Sequence, residues 1–419
     1  MNTIIIDNPS IEKNIIHYRY EINGEWSNAF HQMRECTIEY SCDLTNLPIG
    51  VAIIPFLANV LPIAWVMDAK IYVKICDFDF FSCIDAVKNG YCNMFPTMNF
   101  GGKIFVEMLQ KNYFLENKGS VAFFSGGVDA FNTLTCHYKE NPTLITLWGS
   151  DIKLSDEEGW KRVHKHVIDT ASNFDTDFVT VKSEFRTFLN EGFLQKAVMK
   201  SGDGWWHGFQ HGIGVICHAA PIMYELKKKI VYFASSFTAS DKGKVTCASD
   251  PTIDNYIKFC GCKVIHDGYE FNRQMKIYNI TSFSKNTGIK IPLRVCWESR
   301  GGSNCCNCEK CWRTILGIYS AGFNPLDFGF EYKSLSQISR KIYNNKELLK
   351  SNRESRYAPI QKAMRENYSL FSVEPSLKWF YRIDINRLGD ISLNKKFIIK
   401  IYNILRVIKK KLMNWCKNK

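Results

Sequence analysis

Val121-Ala122-Phe123-Phe124-Ser125-Gly126-Gly127-Val128-Asp129 is the stretch on which the reading of this chain turns. The four apolar residues predict a short buried strand, and Ser-Gly-Gly predicts a break that restarts as a helix over residues 131–137. A turn of this kind leaves backbone N–H groups free at a helix N-terminus, where hydrogen bonding and the helix dipole both favour phosphate. Glycine permits positive φ and lets a phosphate oxygen approach the main chain closely. Ser125 adds a hydroxyl donor, and Asp129 lies one turn into the helix, placed to hold a Mg²⁺ that bridges phosphate oxygens. Neither Gly-Lys-Ser/Thr nor Gly-x-Gly-x-x-Gly is present, so this is neither a Walker A nor a dinucleotide fingerprint. The expectation is a nucleotide enzyme.

Working outward, apolar runs at 144–148, 178–181, 230–234 and 263–266 predict further strands. They alternate with stretches long enough for crossover helices, such as 157–173 and 184–189. The pattern predicts an α/β domain built on a doubly wound parallel sheet, which binds ligands outside its C-terminal strand ends. The loops at that edge therefore matter. Ser235-Ser236-Phe237-Thr238 offers hydroxyls and N–H groups toward phosphates, with an ordinary solvent loop as the alternative. His266-Asp267-Gly268, followed by Arg273 and Lys276, brings cations near the same edge, and Arg273 is a candidate to neutralise charge on an adenylate or pyrophosphate, with surface solvation as the equal alternative. His207 and His211 stand four apart among glycines, with substrate or phosphate contact, metal binding and packing all open.

A second signal is independent of the first. Cys296, Cys305, Cys308 and Cys311 are spaced C-x8-C-x2-C-x2-C around Gly and Asn turns. Four thiolates so arranged satisfy tetrahedral Zn²⁺, and a closed four-Cys site is structural rather than catalytic. Cys306 is an alternative to Cys305 in the ligand set.

The Ser-Gly-Gly-x-Asp run resembles the PP-loop of the ATP pyrophosphatases, which split ATP between the α- and β-phosphates and activate a substrate as its adenylate. Where that family usually has Ser after the Asp, this chain has Ala130. With the cysteine spacing, an aromatic after the first Cys and a Gly-Gly pair before the second, residues 118–320 resemble 7-cyano-7-deazaguanine synthase and its relatives. The resemblance implies ATP and ammonia used to convert a carboxylate to a nitrile, with a structural zinc. It implies that Ser125, Gly126, Gly127, Val128 and Asp129 hold the phosphates, with Ser235 and Ser236 facing them. Adenosine recognition would fall on Trp148-Gly149-Ser150-Asp151, through Gly149 and the Asp151 carboxylate on a ribose hydroxyl; Asp151 as a helix cap is the competing reading.

The 419 residues divide by pattern into an N-terminal α+β region (1–115), the PP-loop domain with its cysteine cluster (116–325) and a helical C-terminal extension (326–419). Strands are expected at 15–20, 36–40 and 70–75. Residues 44–67 carry no charge and are long enough to span a bilayer, but Pro48, Pro55 and Pro62 would open the helical ladder repeatedly in lipid, which favours a buried, broken segment. Asp77-Phe78-Asp79-Phe80-Phe81 offers paired carboxylates for a metal, but a charged strand end or turn is the commoner reading. Sixteen cysteines without a signal-peptide pattern suggest reduced cytoplasmic thiols. After Asp390 there are nine basic residues and no acidic one, out of a net charge of +13, and apolar residues recur at helical spacing. This basic amphipathic tail suits peripheral contact with an anionic membrane, nucleic acid or the protein body. The +4 left for the rest argues against a nucleic-acid enzyme, and a homodimer is compatible.

The function expected is therefore adenylation of a small-molecule or carrier-bound carboxylate, followed by attack of an amine or ammonia. Two alternatives remain. A tRNA-thiolating enzyme would need a reactive cysteine, for which Cys217, Cys247, Cys260 and Cys262 are candidates by residue type only. A non-enzymatic zinc module would carry the PP-loop as a relic.

Overall fold

The computed structural model describes residues 2–31, 35–114, 116, 118–296, 302–345, 349 and 356–385. Twelve strands form one sheet: β1 (Thr3–Ile6), β2 (Ser10–Glu12), β3 (Ile15–Asn23), β4 (Glu35–Tyr40), β5 (Lys70–Asp77), β6 (Lys103–Gln110), β7 (Ser120–Phe123), β8 (Thr143–Trp148), β9 (Phe178–Ser183), β10 (Ile230–Ala234), β11 (Lys258–Phe259) and β12 (Cys262–Asp267). Their order is β11-β12-β10-β7-β8-β9-β4-β3-β1-β5-β6, with β2 on β3. Strands β12, β10, β7, β8 and β9 are parallel neighbours. Every residue of β7 is buried, as both faces of a helix-covered parallel sheet require. The order runs outward in both directions from β7, so the crevice between β7 and β10 opens beyond their C-terminal ends. The phosphate-type loop leaves from that point.

The fold is thus mixed α/β with a large, mostly parallel sheet. Helices Val128–Cys136 and Glu157–Phe174 stand where the sequence pattern places them, the first starting three residues earlier than expected. Residues 184–189 are a correction: they form a turn, and the helix is Glu191–Ala197, capped by Asn190 through Phe193 N–H. Glu184 is held away from helical geometry, because its N–H donates to Thr37 O at 3.2 Å and its carboxylate accepts from Thr37 N at 2.8 Å. Phe185, Phe188 and Leu189 are buried beneath that turn.

The N-terminal strands continue the same sheet, since β4 pairs antiparallel with β9. The sheet therefore crosses the expected boundary at 115. One compact unit comprises Met1–Cys311 with Asn324–Glu331, and a second comprises Trp312–Phe323 with Tyr332–Lys419. Unpaired, β9 would end the sheet with a row of open backbone groups.

Residues 44–67 are the buried, broken segment expected: helices Ile49–Ala52 and Ile54–Val66, the second with Pro62 inside it. Asn59, fully buried, donates to Pro55 O at 2.9 Å and Gly214 O at 3.1 Å and accepts from Gln210 at 2.9 Å, so its polar atoms are satisfied within the core. No helix among the described residues is long and apolar enough to cross a membrane. Asp77 ends β5 and caps helix Phe78–Met94 by accepting from Phe80 N.

The described residues of the second unit include helices Leu335–Asn344, Ala358–Asn367 and Lys378–Arg382, and Tyr319 stacks on Tyr368 with centroids 4.8 Å apart. The basic tail after Asp390 lies outside the described residues.

Candidate functional site

The loop after β7 is shaped by one glycine. Gly126 has φ +75°, and a Cβ there would lie 2.5 Å from His166 Nε2 and 3.2 Å from Arg294 Cβ. Gly127 is ordinary extended backbone at φ −80° and caps helix Val128–Cys136 without a side-chain bond. The first N–H groups of that helix have no intrahelical acceptor. Val128 contributes only backbone, its side chain being fully buried, and Ser125 is exposed, its Oγ 3.4 Å from Gly127 N.

Cations gather around this turn. Arg273 Nη1 lies 3.3 Å from Asp129 Oδ2, and Lys276 Nζ lies 3.1 Å from Asp129 Oδ1. The two sit three apart on helix Arg273–Thr287, hence on one face. Lys276, its side chain 2 % exposed, also donates to Ser235 O. Burial pushes the Asp129 acid up, but the charges of Lys276 and Arg273 outweigh it and leave the carboxyl below its ordinary 3.8. Arg294 completes the ring: its N–H donates to Gly126 O at 2.7 Å, and its guanidinium to Ser125 O at 2.7 and 3.1 Å.

These contacts revise several sequence expectations. Asp129 faces a cation on each oxygen, so it fits poorly as the Mg²⁺ ligand the loop pattern suggested; the donors here suit an anion. Ser235 is fully buried, its hydroxyl bonded to Phe237 O at 2.5 Å and its N–H to Asp267 O at 2.8 Å. It anchors Lys276 rather than offering a free hydroxyl, whereas Ser236 is exposed. Asp151 caps no helix: Asp156 does so for Glu157–Phe174, and Asp151 is exposed, its charge felt by Arg294 and His211. Gly149, at φ +108°, has its α-carbon pressed against the chain, for a Cβ there would meet Ser183 O at 2.1 Å.

Cys296, Cys305, Cys308 and Cys311 converge, their sulfurs all within 4.8 Å of one another, and Cys306 lies outside the group. The Cys296 and Cys308 sulfurs are 3.8 Å apart. Zn–S bonds of about 2.3 Å in a tetrahedron set that edge at about 3.8 Å, so the cluster fits a metal ion such as zinc. The knuckle also reaches the phosphate-type loop. Asn304 accepts from Val295 N at 2.9 Å and donates to Leu293 O at 2.7 Å, fixing the segment that carries Arg294.

Among the described residues no hydrogen bond joins His207 or His211 to the loop. They flank Cys247, and His207 is bonded to Asp203. Two residues escaped sequence reasoning. Arg294 stands two places before the first metal-type cysteine, a proximity that could have drawn attention to it. His166, on helix Glu157–Phe174, gave no sequence signal.

No family model matches the chain, and neither characterised proteins nor solved structures provide a match.

Proposed function

We propose that the protein activates a carboxylate with ATP, releasing pyrophosphate and passing the acyl group to an amine or ammonia. The observation that carries this reading is the Gly126 turn at a helix N-terminus, ringed by Lys276, Arg273 and Arg294, at the strand-order reversal between β7 and β10. Its resemblance to a PP-loop supplies the cleavage position, between the α- and β-phosphates. A substrate carboxylate oxygen attacks the α-phosphorus, and pyrophosphate leaves with the bonding electrons. The loop N–H groups and the three cations meet the charge that builds on it, which is the largest contribution a protein makes to such a step. The mixed anhydride then supplies the reactivity, and positioning does the rest.

The four cysteines would hold zinc, which would stiffen the knuckle from which Asn304 fixes the 293–295 segment and so Arg294 against Ser125. The resemblance to 7-cyano-7-deazaguanine synthase favours a ring-bound carboxylate and, after a second activation, a nitrile.

The test is formation of AMP and pyrophosphate from ATP labelled at the α-phosphate, in the presence of mixed small carboxylic acids. Wild-type protein should turn over, and Arg294→Met should lose about 100-fold, the scale of one removed transition-state donor. Cleavage to ADP and phosphate, or no cleavage, would overturn the reading.

A further inference from the structure

The four cysteines singled out by residue type are not equivalent in the fold. Burial pushes the Cys217 and Cys260 thiols well above the ordinary range. Cys247, 5 % exposed, sits between Thr246, which bonds to Asp203, and Ala248, which bonds to the His207 carbonyl, and both His207 and His211 act on its thiol. His207 Nδ1 is 3.0 Å from each carboxylate oxygen of Asp203. Asp203 is itself oriented, accepting from Gly204 N at 2.7 Å and from Thr246 Oγ1 at 2.6 Å. The loop is tied down on both sides of the sulfur, by that Thr246 bond and by Ala248 N donating to His207 O at 2.8 Å. A π-turn, Trp206–Gln210, precedes His211, and Gly212 lies so near that a Cβ would meet Ala248 O at 2.0 Å. Thiol, imidazole and carboxylate thus stand in the order nucleophile, base, orienting group.

Burial alone would push the Cys247 thiol up, yet His207 and then His211 more than offset it and bring it down from 9.0 to about 7. His207 is raised, first by Asp203 and then by Cys247. His211 is also raised, against burial, by Cys247, Asp151 and Asp254. The two imidazoles favour a thiolate beside imidazolium over the neutral pair. Among the described residues the four-Cys knuckle is the group whose candidate metal ligands converge.

The Cys247 group adjoins the segment that follows β10, the parallel neighbour of β7, at the end of the sheet from which the phosphate-type loop leaves. The His207 ring lies 6.0 Å from that of Phe237, two residues beyond Ser235, whose carbonyl holds Lys276 against Asp129. Asp151 acts electrostatically on both His211 and Arg294, the residue that grips Ser125.

We propose that Cys247, with His207 and Asp203, receives the activated acyl group as a thioester before it passes to the amine. The inference rests on the adenylation reading for the source of that group. The thiolate sulfur forms a bond to the acyl carbon while the carbon–oxygen bond to phosphate breaks, and AMP leaves with the electron pair. His207, no longer facing a negative sulfur, gives its proton to water. The amine nitrogen then attacks the thioester carbonyl, its proton passes to His207, and sulfur departs as thiolate to restore the ion pair. No oxidant or reductant is consumed.

The experiment supplies acetyl adenylate ready-made to the full chain, which bypasses ATP cleavage, and locates adducts by mass spectrometry. Acetylation of Cys247, released by neutral hydroxylamine, is expected, at a rate at least tenfold lower in His207→Ala and Asp203→Asn. Iodoacetamide alkylation of Cys247 against pH provides a second readout that a packing role would not move. Its midpoint should lie near 7 in the wild type, where the thiol is pushed down, and shift toward 9.0 in His207→Ala. Acetylation confined to other cysteines, or alkylation of Cys247 no faster than of Cys217, overturns the proposal. Failure of ATP cleavage with Cys247 still acetylated overturns the adenylation reading instead.

Discussion

Gly126 and Gly127 are adjacent and chemically identical, yet the fold asks different things of them. A side chain at Gly126 would adopt a left-handed backbone, costing about 1–2 kcal/mol, and would also displace His166 and Arg294. At Gly127, where φ is −80° and the nearest atom to a new Cβ is Ser125 Oγ at 3.4 Å, little opposes a methyl group. We expect Gly126→Ala to lower the unfolding temperature clearly and Gly127→Ala to leave it nearly unchanged, measured by calorimetry. His166 makes a second residue-scale prediction. Burial first, and the Arg294 charge second, hold its imidazole down from 6.5 to about 4. The unfolded chain takes up this proton as pH falls through 6.5, and the folded chain does so only near 4, so stability drops across that window. His218, held down to about 4 by burial, acts in the same direction, whereas the raised His207 contributes a constant amount below 6.5. Urea unfolding should show stability falling from pH 6.5 to pH 4, and His166→Gln should flatten the slope by at most about 1.4 kcal/mol per pH unit.

At the scale of elements, the cysteine knuckle and the phosphate-type loop are coupled through three residues of chain. Val295 is bonded to Asn304 inside the knuckle, and Arg294 beside it is bonded to Gly126 and Ser125. Removing one thiolate from a closed site should therefore act on nucleotide binding without touching a nucleotide contact. Cys308→Ser is expected to reduce bound metal well below about one equivalent and to weaken binding of a non-hydrolysable ATP analogue at least about tenfold. Cys306→Ser, outside the cluster, should retain both. Elemental analysis with titration calorimetry decides this, and unchanged metal content in Cys308→Ser would remove the metal assignment.

The whole molecule is decided by a sheet that ignores the composition boundary near 115. Strand β9 is covered by β4, and the apolar helix Ile54–Val66 binds the 205–214 segment through Asn59 and Gln210. Detaching the first 117 residues would open an edge strand and leave Gln210 without Asn59, at about 1–3 kcal/mol for the lost partner alone. A fragment spanning 118–419 should accordingly be aggregation-prone and lack a cooperative thermal transition, whereas the full chain unfolds cooperatively. Cooperative unfolding of that fragment would restore an independent N-terminal domain.

The strands and the cysteine cluster were legible in sequence because their signals are local: apolar runs for β7, β8, β9, β10 and β12, and tight C-x2-C spacing for the thiolates. Local signals also exposed Arg273 and Lys276 as cations at the right edge. What residues 184–189 would do was not legible, since a contact with Thr37, far away in sequence, overrides their helical pattern. The same holds for the site. Sequence by itself determined that a glycine turn meets a helix N-terminus and that four thiolates can close on a metal. Only the tertiary structure decided that Asp129 faces Lys276 and Arg273, that Arg294 closes the ring, and that two imidazoles act on Cys247. The physical reason is that charge and hydrogen-bond partners act across a few ångströms of space, whatever their separation along the chain.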